Sequence, residues 1–236
     1  MPYSRPNAPV AIVTGASRGL GLALCRALAL RGWRLVIDAR GADALERARA
    51  ELAARTTVAA VVGDVSDPRH REALVTAAGD RLDLLVNNAS LLGPSPQPPL
   101  QRYPLDELER VYAVNVFAPL ALAQLALPLM DEGAAILNIT SDAGVEAYEG
   151  WGGYGSSKAA LEQLTRILAV EHPQLRIHVV DPGDMRTQMH QEAFPGEDIS
   201  DRPPPEDSVP GLMALIDGDQ ASGRFKASAL APAVGA

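Results

Sequence analysis

The chain has 236 residues, of which 47% are hydrophobic and 21% charged, and its mean hydropathy is close to zero, a globular composition rather than a disordered, fibrous or membrane-spanning one. Lys and Arg total 21 against 29 Asp and Glu, a formal charge of -8, and an acidic chain without a basic cluster is a poor partner for nucleic acid. Cys25 is the single cysteine, which excludes an internal disulfide and a multi-cysteine zinc site and fits a reducing, cytoplasmic setting; residues 1–9 lack the apolar core and basic flank of a signal peptide.

In chain order, residues 10–14 read as a strand, 20–31 as a helix and 34–38 as a strand. Residues 42–54 read as a helix, 57–62 as a strand, 68–78 as a helix and 82–87 as a strand. Five prolines between 93 and 104 demand an extended surface loop. Pro104 then opens a long helix ending near Met130, followed by a strand at 134–139, a helix at 155–171 and a strand at 175–180. The uncharged run 111–130 has the length of a membrane span, but it holds Asn115, Gln124, Pro119 and Pro128, which fits a helix buried in the protein better, and no membrane is expected. The Pro-rich, acidic stretch 182–210 reads as a lid over a binding site (about 184–210), ahead of a short helix and a seventh strand near 222–225 with a short tail. Apolar residues run consecutively in the strands, as in a sheet covered on both faces. The expectation is one α/β domain over 1–236, a doubly wound, Rossmann-like parallel sheet of seven strands with helices on both faces.

Two features carry chemistry. The first strand runs through Thr14, Gly15, Ala16, Ser17, Arg18, Gly19, Leu20 and Gly21 straight into a helix. Glycines in that context let the backbone turn tightly and approach a pyrophosphate at the positive end of a helix. Further on, Tyr154 and Lys158 stand four apart in a helical stretch and share one face. Nineteen of the 21 basic residues are Arg, so lysine at this position is telling: a compact ammonium favours a neighbouring phenolate, whereas a guanidinium is bulkier and forked.

With these motifs in place, the chain resembles the short-chain dehydrogenase/reductases with subunits of about this size. The glycine segment is similar to the family's T-G-x-x-x-G-x-G, and Tyr154 with Lys158 to its Y-x-x-x-K. Asn87, Asn88, Ala89 and Ser90 resemble its N-N-A-G, with Ser90 in place of glycine. Asp64 and Val65 resemble the pair that meets the adenine. Ser141, thirteen residues before Tyr154, resembles the catalytic serine, and Asn115 the fourth catalytic member. Pro182, Gly183 and Thr187 resemble the segment beside the nicotinamide.

The resemblance implies a mechanism. Tyr154, its pKa lowered by Lys158 and by oxidised nicotinamide, exchanges a proton with the substrate oxygen. Ser141 hydrogen-bonds that oxygen, Lys158 also grips the nicotinamide ribose, and Asn115 holds a water for proton relay. The cofactor set it implies is Gly15, Ser17, Arg18, Gly19, Leu20, Gly21, Arg40, Asp64, Val65, Asn88, Ala89, Ser90, Tyr154, Lys158, Pro182, Gly183 and Thr187. At the end of the second strand, Asp38 could bind the ribose hydroxyls of NAD, but in the family register the selecting acid falls at 39, which is Ala39. Arg40 and Arg18 stand where relatives place cations against a 2′-phosphate. The expectation is therefore that Asp38 faces elsewhere and that NADP(H) is preferred, with NAD(H) possible.

The function expected is hydride transfer between NADP(H) and a small-molecule carbonyl or alcohol, most simply reduction of a ketone or aldehyde. The alternatives are an NAD-dependent alcohol dehydrogenase, dehydration or epimerisation on the same scaffold, and a dinucleotide-binding regulator without catalysis, which would have no use for the full set Asn115, Ser141, Tyr154 and Lys158. His70, His172, His178 and His190 lack metal-ligand spacing and read as packed or solvated, so no metal is expected, and Cys25 reads as a buried thiol. Tyr148, Trp151, Met185, Met189 and Phe194 fit either an apolar substrate pocket or core packing. Family members assemble through their two long helices, so a homodimer or homotetramer is expected, with the uncharged 111–130 run supplying part of a buried face.

Overall fold

The computed structural model describes residues 8–230; expectations for the first seven residues and for the tail after Leu230 fall outside them. Its strands are β1 (Val10–Val13), β2 (Arg34–Ala39), β3 (Val58–Val62), β4 (Leu84–Asn87), β5 (Ala135–Ile139), β6 (Arg176–Asp181) and β7 (Gly223–Lys226). They form one seven-stranded sheet in the order β3-β2-β1-β4-β5-β6-β7, every pair parallel. The helices are α1 (Gly19–Leu30), α2 (Ala42–Ala53), α3 (Pro68–Ala78), α4 (Leu105–Tyr112), α5 (Ala118–Ala126), α6 (Gly152–Glu171), α7 (Gln188–Ala193), α8 (Val209–Asp217) and α9 (Ala227–Leu230).

Strand alternation splits the core in two. Ala11, Val13, Leu35, Ile37, Val86 and Leu137 face α1, α2 and α8, while Ile12, Val36, Leu85, Ile136 and Ile177 face α3, α5 and α6. Both faces are covered, which is why the strands read as unbroken apolar runs. Each fully buried Leu or Ile contributes about 1.5–3 kcal/mol over leaving it exposed. Local signals place the helices: Asp67 accepts the Arg69 N–H at 2.9 Å and Pro68 opens α3.

The long helix expected from Pro104 to Met130 is interrupted. Between α4 and α5, residues Ala113–Phe117 form a turn of π-helix, and Leu127–Leu129 close the run as a 3₁₀ turn. Proline explains both departures. Pro119 has no N–H for the carbonyl of Asn115 and its ring crowds that carbonyl, so the ladder slips to wider bonds; Pro128 ends the helix the same way. By length and composition alone Leu105–Leu129 could cross a membrane, yet Leu122, Ala123 and Ala126 of this run are buried against the sheet. The lid stretch departs too: it contains α7, and α6 begins three residues earlier than the periodicity predicts, so Tyr154 lies in its first turn.

Candidate active site

A cleft of about 1300 Å³ lies along the carboxyl ends of the strands, from Arg40 and Ala44 at one end to Trp151 and Phe194 at the other. It spans the boundary between β1 and β4, where the strand order reverses and doubly wound sheets bind their ligands.

The middle of the cleft is a glycine cradle. Gly15 and Gly19 have φ of 66° and 55°, in the left-handed region that side chains avoid. A Cβ on Gly15 would come within 2.9 Å of Ala89 Cα, and one on Gly21 within 2.5 Å of the Gly15 carbonyl oxygen. Thr14 Oγ1 accepts the N–H groups of Asn88 and Ala89, both at 3.0 Å, and Asn88 Nδ2 donates to the Thr14 carbonyl at 2.8 Å, locking the cradle to the end of β4. The first turn of α1 has no acidic residue and no side-chain cap, so its N–H groups and its positive end stay available to an anion. These residues fit a dinucleotide pyrophosphate.

At the Arg40 end of the cleft, Asp64 accepts the Ser66 N–H and hydroxyl at 2.8 and 2.7 Å. Burial works against its charge, but the two Ser66 bonds, with Arg40 and His70 nearby, hold the carboxyl below the usual range. The Asp38 carboxylate is held by protein groups: Oδ1 accepts the Gly15 N–H at 2.6 Å and Oδ2 pairs with His70 Nε2 at 2.9 Å. Arg40 is left lining the cleft. Arg18 reaches across to the Gln188 side chain at the start of α7, tying the cradle to the lid. Pro182, Gly183 and Thr187 line the far wall, where Gly183 takes φ of 78°, Ser208 donates to the Pro182 carbonyl at 2.8 Å and Thr187 caps α7 by accepting the His190 N–H at 3.3 Å.

At the other end, Ser141, Tyr154 and Lys158 line the same cleft. Lys158 is 2% exposed; its Nζ donates to the Ile139 carbonyl at 2.9 Å and lies 5.3 Å from the centre of the Tyr154 ring. Burial pulls its pKa down to about 8. Burial pushes the Tyr154 phenol up, and the Asp142 and Asp181 carboxylates add to that, while the Ser90 and Ser141 hydroxyls act the other way.

Asn115 lies in the π-turn and is buried. The π-turn aims its side chain inward, where Nδ2 donates to the Leu91 carbonyl at 2.9 Å and to Ser157 Oγ at 3.0 Å. Its Oδ1 accepts the Leu91 N–H at 2.8 Å and the Ser90 hydroxyl at 3.2 Å. Its side-chain amide is held by protein groups, so Asn115 ties the Ser90 turn to α6. Ser90 is thereby a member of the site and not a bystander of the turn.

Three features had no motif to announce them. The Ser141 hydroxyl donates to Asp142 Oδ1 at 2.8 Å, and Tyr148 donates to the other oxygen at 3.0 Å. Behind Ser141, the buried Glu162 accepts from Thr140 at 2.9 Å, Arg224 at 3.0 Å and Arg166 at 3.0 Å, while Arg224 also donates to the Ser141 carbonyl at 3.3 Å. The Asp38–His70 pair is the third. Trp151, stacked edge-on to Tyr154 with centroids 5.8 Å apart and next to Phe194 at 5.7 Å, gives this end an aromatic wall.

The family model described as short chain dehydrogenase matches residues 9–198. A 3-oxoacyl-[acyl-carrier-protein] reductase of rhamnolipid biosynthesis from Pseudomonas aeruginosa is 36% identical over 200 residues, covering 80% of this chain and 77% of that protein. Among solved structures, a short chain dehydrogenase from Pseudomonas syringae superposes with a TM-score of 0.87 at 30% identity, covering 96% of this chain and 98% of the other. One from Shigella flexneri, complexed with NADP, superposes with a TM-score of 0.86 at 28% identity, covering 94% and 98%.

Proposed function

The chain belongs to the short-chain dehydrogenase/reductase family of oxidoreductases, and from that premise we propose that it is an NADP(H)-dependent carbonyl reductase acting on a ketone or aldehyde with substantial apolar surface. The observation that carries the reading is the buried Tyr154–Lys158 pair opening onto the same cleft as the glycine cradle. Bound there, a nicotinamide coenzyme supplies the hydride.

The protein's part is to place the carbonyl and deliver a proton. Burial keeps the Tyr154 phenol protonated, the state a proton donor needs for reduction. Ser141 exchanges its bond to Asp142 for one to the carbonyl oxygen, stabilising the charge that develops there. Lys158, fixed by the Ile139 carbonyl, keeps a positive charge beneath the phenol at neutral pH and favours the phenolate left after transfer. The Trp151–Phe194 wall suits an apolar or aromatic substituent.

Arg40 at the adenosine end and the withdrawal of Asp38 support NADP(H) over NAD(H), as does the NADP bound to the Shigella relative. Assembly as a homodimer or homotetramer is supported by apolar side chains left exposed on α5, α6 and the π-turn; a cytoplasmic location is supported by the lone cysteine. The deciding experiment follows coenzyme oxidation over a panel of ketones and aldehydes. NADPH is expected to give the higher kcat/KM, and Tyr154→Phe to lower kcat about 10²–10⁴-fold while coenzyme still binds. Turnover surviving in that variant overturns the role given to Tyr154.

A further inference from the structure

Asp38 is a buried carboxylate one residue before position 39, where the selecting acid of the family register falls. An acid at the end of the second strand ordinarily accepts ribose hydroxyls, and one facing a 2′-phosphate would repel it. Here the side chain is 2% exposed and turned under the glycine cradle, held on two sides. The Gly15 N–H donates to Oδ1 at 2.6 Å, and His70 Nε2, from the first turn of α3, meets Oδ2 at 2.9 Å. The imidazole is itself confined. A Cβ on Gly63 would lie 2.3 Å from His70 Nδ1, so the ring packs flat on the backbone after β3, and the Asp67–Pro68 start of α3 fixes its height. The Gly15 N–H satisfies one carboxylate oxygen only. Without His70 the other would be a buried acceptor lacking a partner, which drives it either to rotate toward the cleft or to carry uncompensated negative charge beside it.

We propose that His70 is a specificity-determining positioning residue, which by holding Asp38 beneath the cradle keeps a carboxylate out of the adenosine 2′ position and leaves that position to Arg40. The inference rests on the NADP(H) reading above and extends it to a residue that does not line the cleft. His70 selects by removing a repulsion rather than by adding a contact.

The test measures binding of two probes, 5′-AMP and adenosine 2′,5′-bisphosphate, by calorimetry on the whole chain. His70→Phe keeps a flat ring over Gly63 but has no donor, and it is expected to cut the preference for the 2′-phosphorylated probe by about fivefold or more, with 5′-AMP affinity held or raised. The same variant should lose kcat/KM for NADPH mainly through KM. His70→Gln, which keeps a donor, should keep the preference, and Asp38→Asn combined with His70→Phe should restore it, because the charge being held is gone. An unchanged ratio in His70→Phe, or a fall that the double variant does not reverse, overturns the proposal. Should His70→Phe fail to fold, His70→Ala against Asp38→Asn/His70→Ala gives the same comparison. A wild type that favours 5′-AMP sinks the NADP(H) reading instead, and that result is read separately from the change between variants.

Discussion

Lys158 carries its ammonium at 2% exposure with a single carbonyl as partner, and burial pulls its pKa from 10.5 to about 8. Between those values the unfolded chain binds a proton that the folded chain has released, so stability rises with pH across that window. Equivalently, the stabilisation is fully present above 10.5 and is lost as pH falls through about 8. Lys158→Met fills a similar volume without a titrating group, so subtracting its stability isolates the effect from every other group. Urea titrations of both proteins should show the wild type gaining about 2–3 kcal/mol on the variant between pH 7.5 and 10. A difference flat with pH would mean that the folded amine keeps the pKa of the unfolded chain. Lys158 and Tyr154 were legible in the sequence because one helix brings them together at a spacing of four. Asp38 with His70, and Glu162 with Arg224, were not, since they lie 32 and 62 residues apart and meet only through strand order and helix register. Ser90 was visible as a departure from the family glycine, but its bond to Asn115 depends on the π-turn.

At the scale of elements, the placement of Ser141 against Tyr154 depends on how closely α6 approaches the turn after β5. Gly155, next to Tyr154, is the point of contact: a Cβ there would lie 2.6 Å from the carbonyl oxygen of Ala143, and backbone cannot swing aside as a flexible side chain can. Gly155→Ala must push the 142–144 turn away and with it Ser141, whose hydroxyl caps that turn. The expected cost is about 1–3 kcal/mol of stability from overpacking, with kcat reduced about 10²-fold if the serine shifts by an ångström. Ser156→Ala is the control, since its hydroxyl reaches only the Gly153 carbonyl, at 3.2 Å, from an exposed position. Equal kcat and stability in the two variants would show that α6 can move without disturbing the turn. Elements were the most legible level of this chain: strands buried on both faces announce themselves as apolar runs. The errors fell at prolines inside a helical pattern, where Pro119 and Pro128 were weighed against a membrane span but not for what a missing N–H does to the ladder. The helix α7 escaped because a short helix within a Pro-rich acidic stretch has too few turns for periodicity to register.

For the whole molecule, the sheet and its helices leave apolar surface outside. Phe117 is 61% exposed and Val170 82%, with Ile167 also exposed further along α6. The π-turn that carries Phe117 is tied to α6 by the bond from Asn115 to Ser157, so both segments belong to one side of the sheet. Burying such side chains against a second copy stabilises the assembly by about 25 cal/mol for each Å² of apolar surface removed from water. In a twofold contact each residue acts twice, so a charge placed at Phe117 is introduced on both sides of the interface. Light scattering of the 24.9 kDa chain should therefore give the mass of two or four copies, roughly 50 or 100 kDa. Phe117→Lys at the same concentration should move the mass toward that of one chain and lower the melting temperature. Because the assembled state alone gains from association, the wild-type melting temperature should also climb with protein concentration, and that of Phe117→Lys should climb less. A wild type that scatters as one chain at every concentration would leave these side chains as ordinary exposed surface, and the two long helices would then serve only the core and the site.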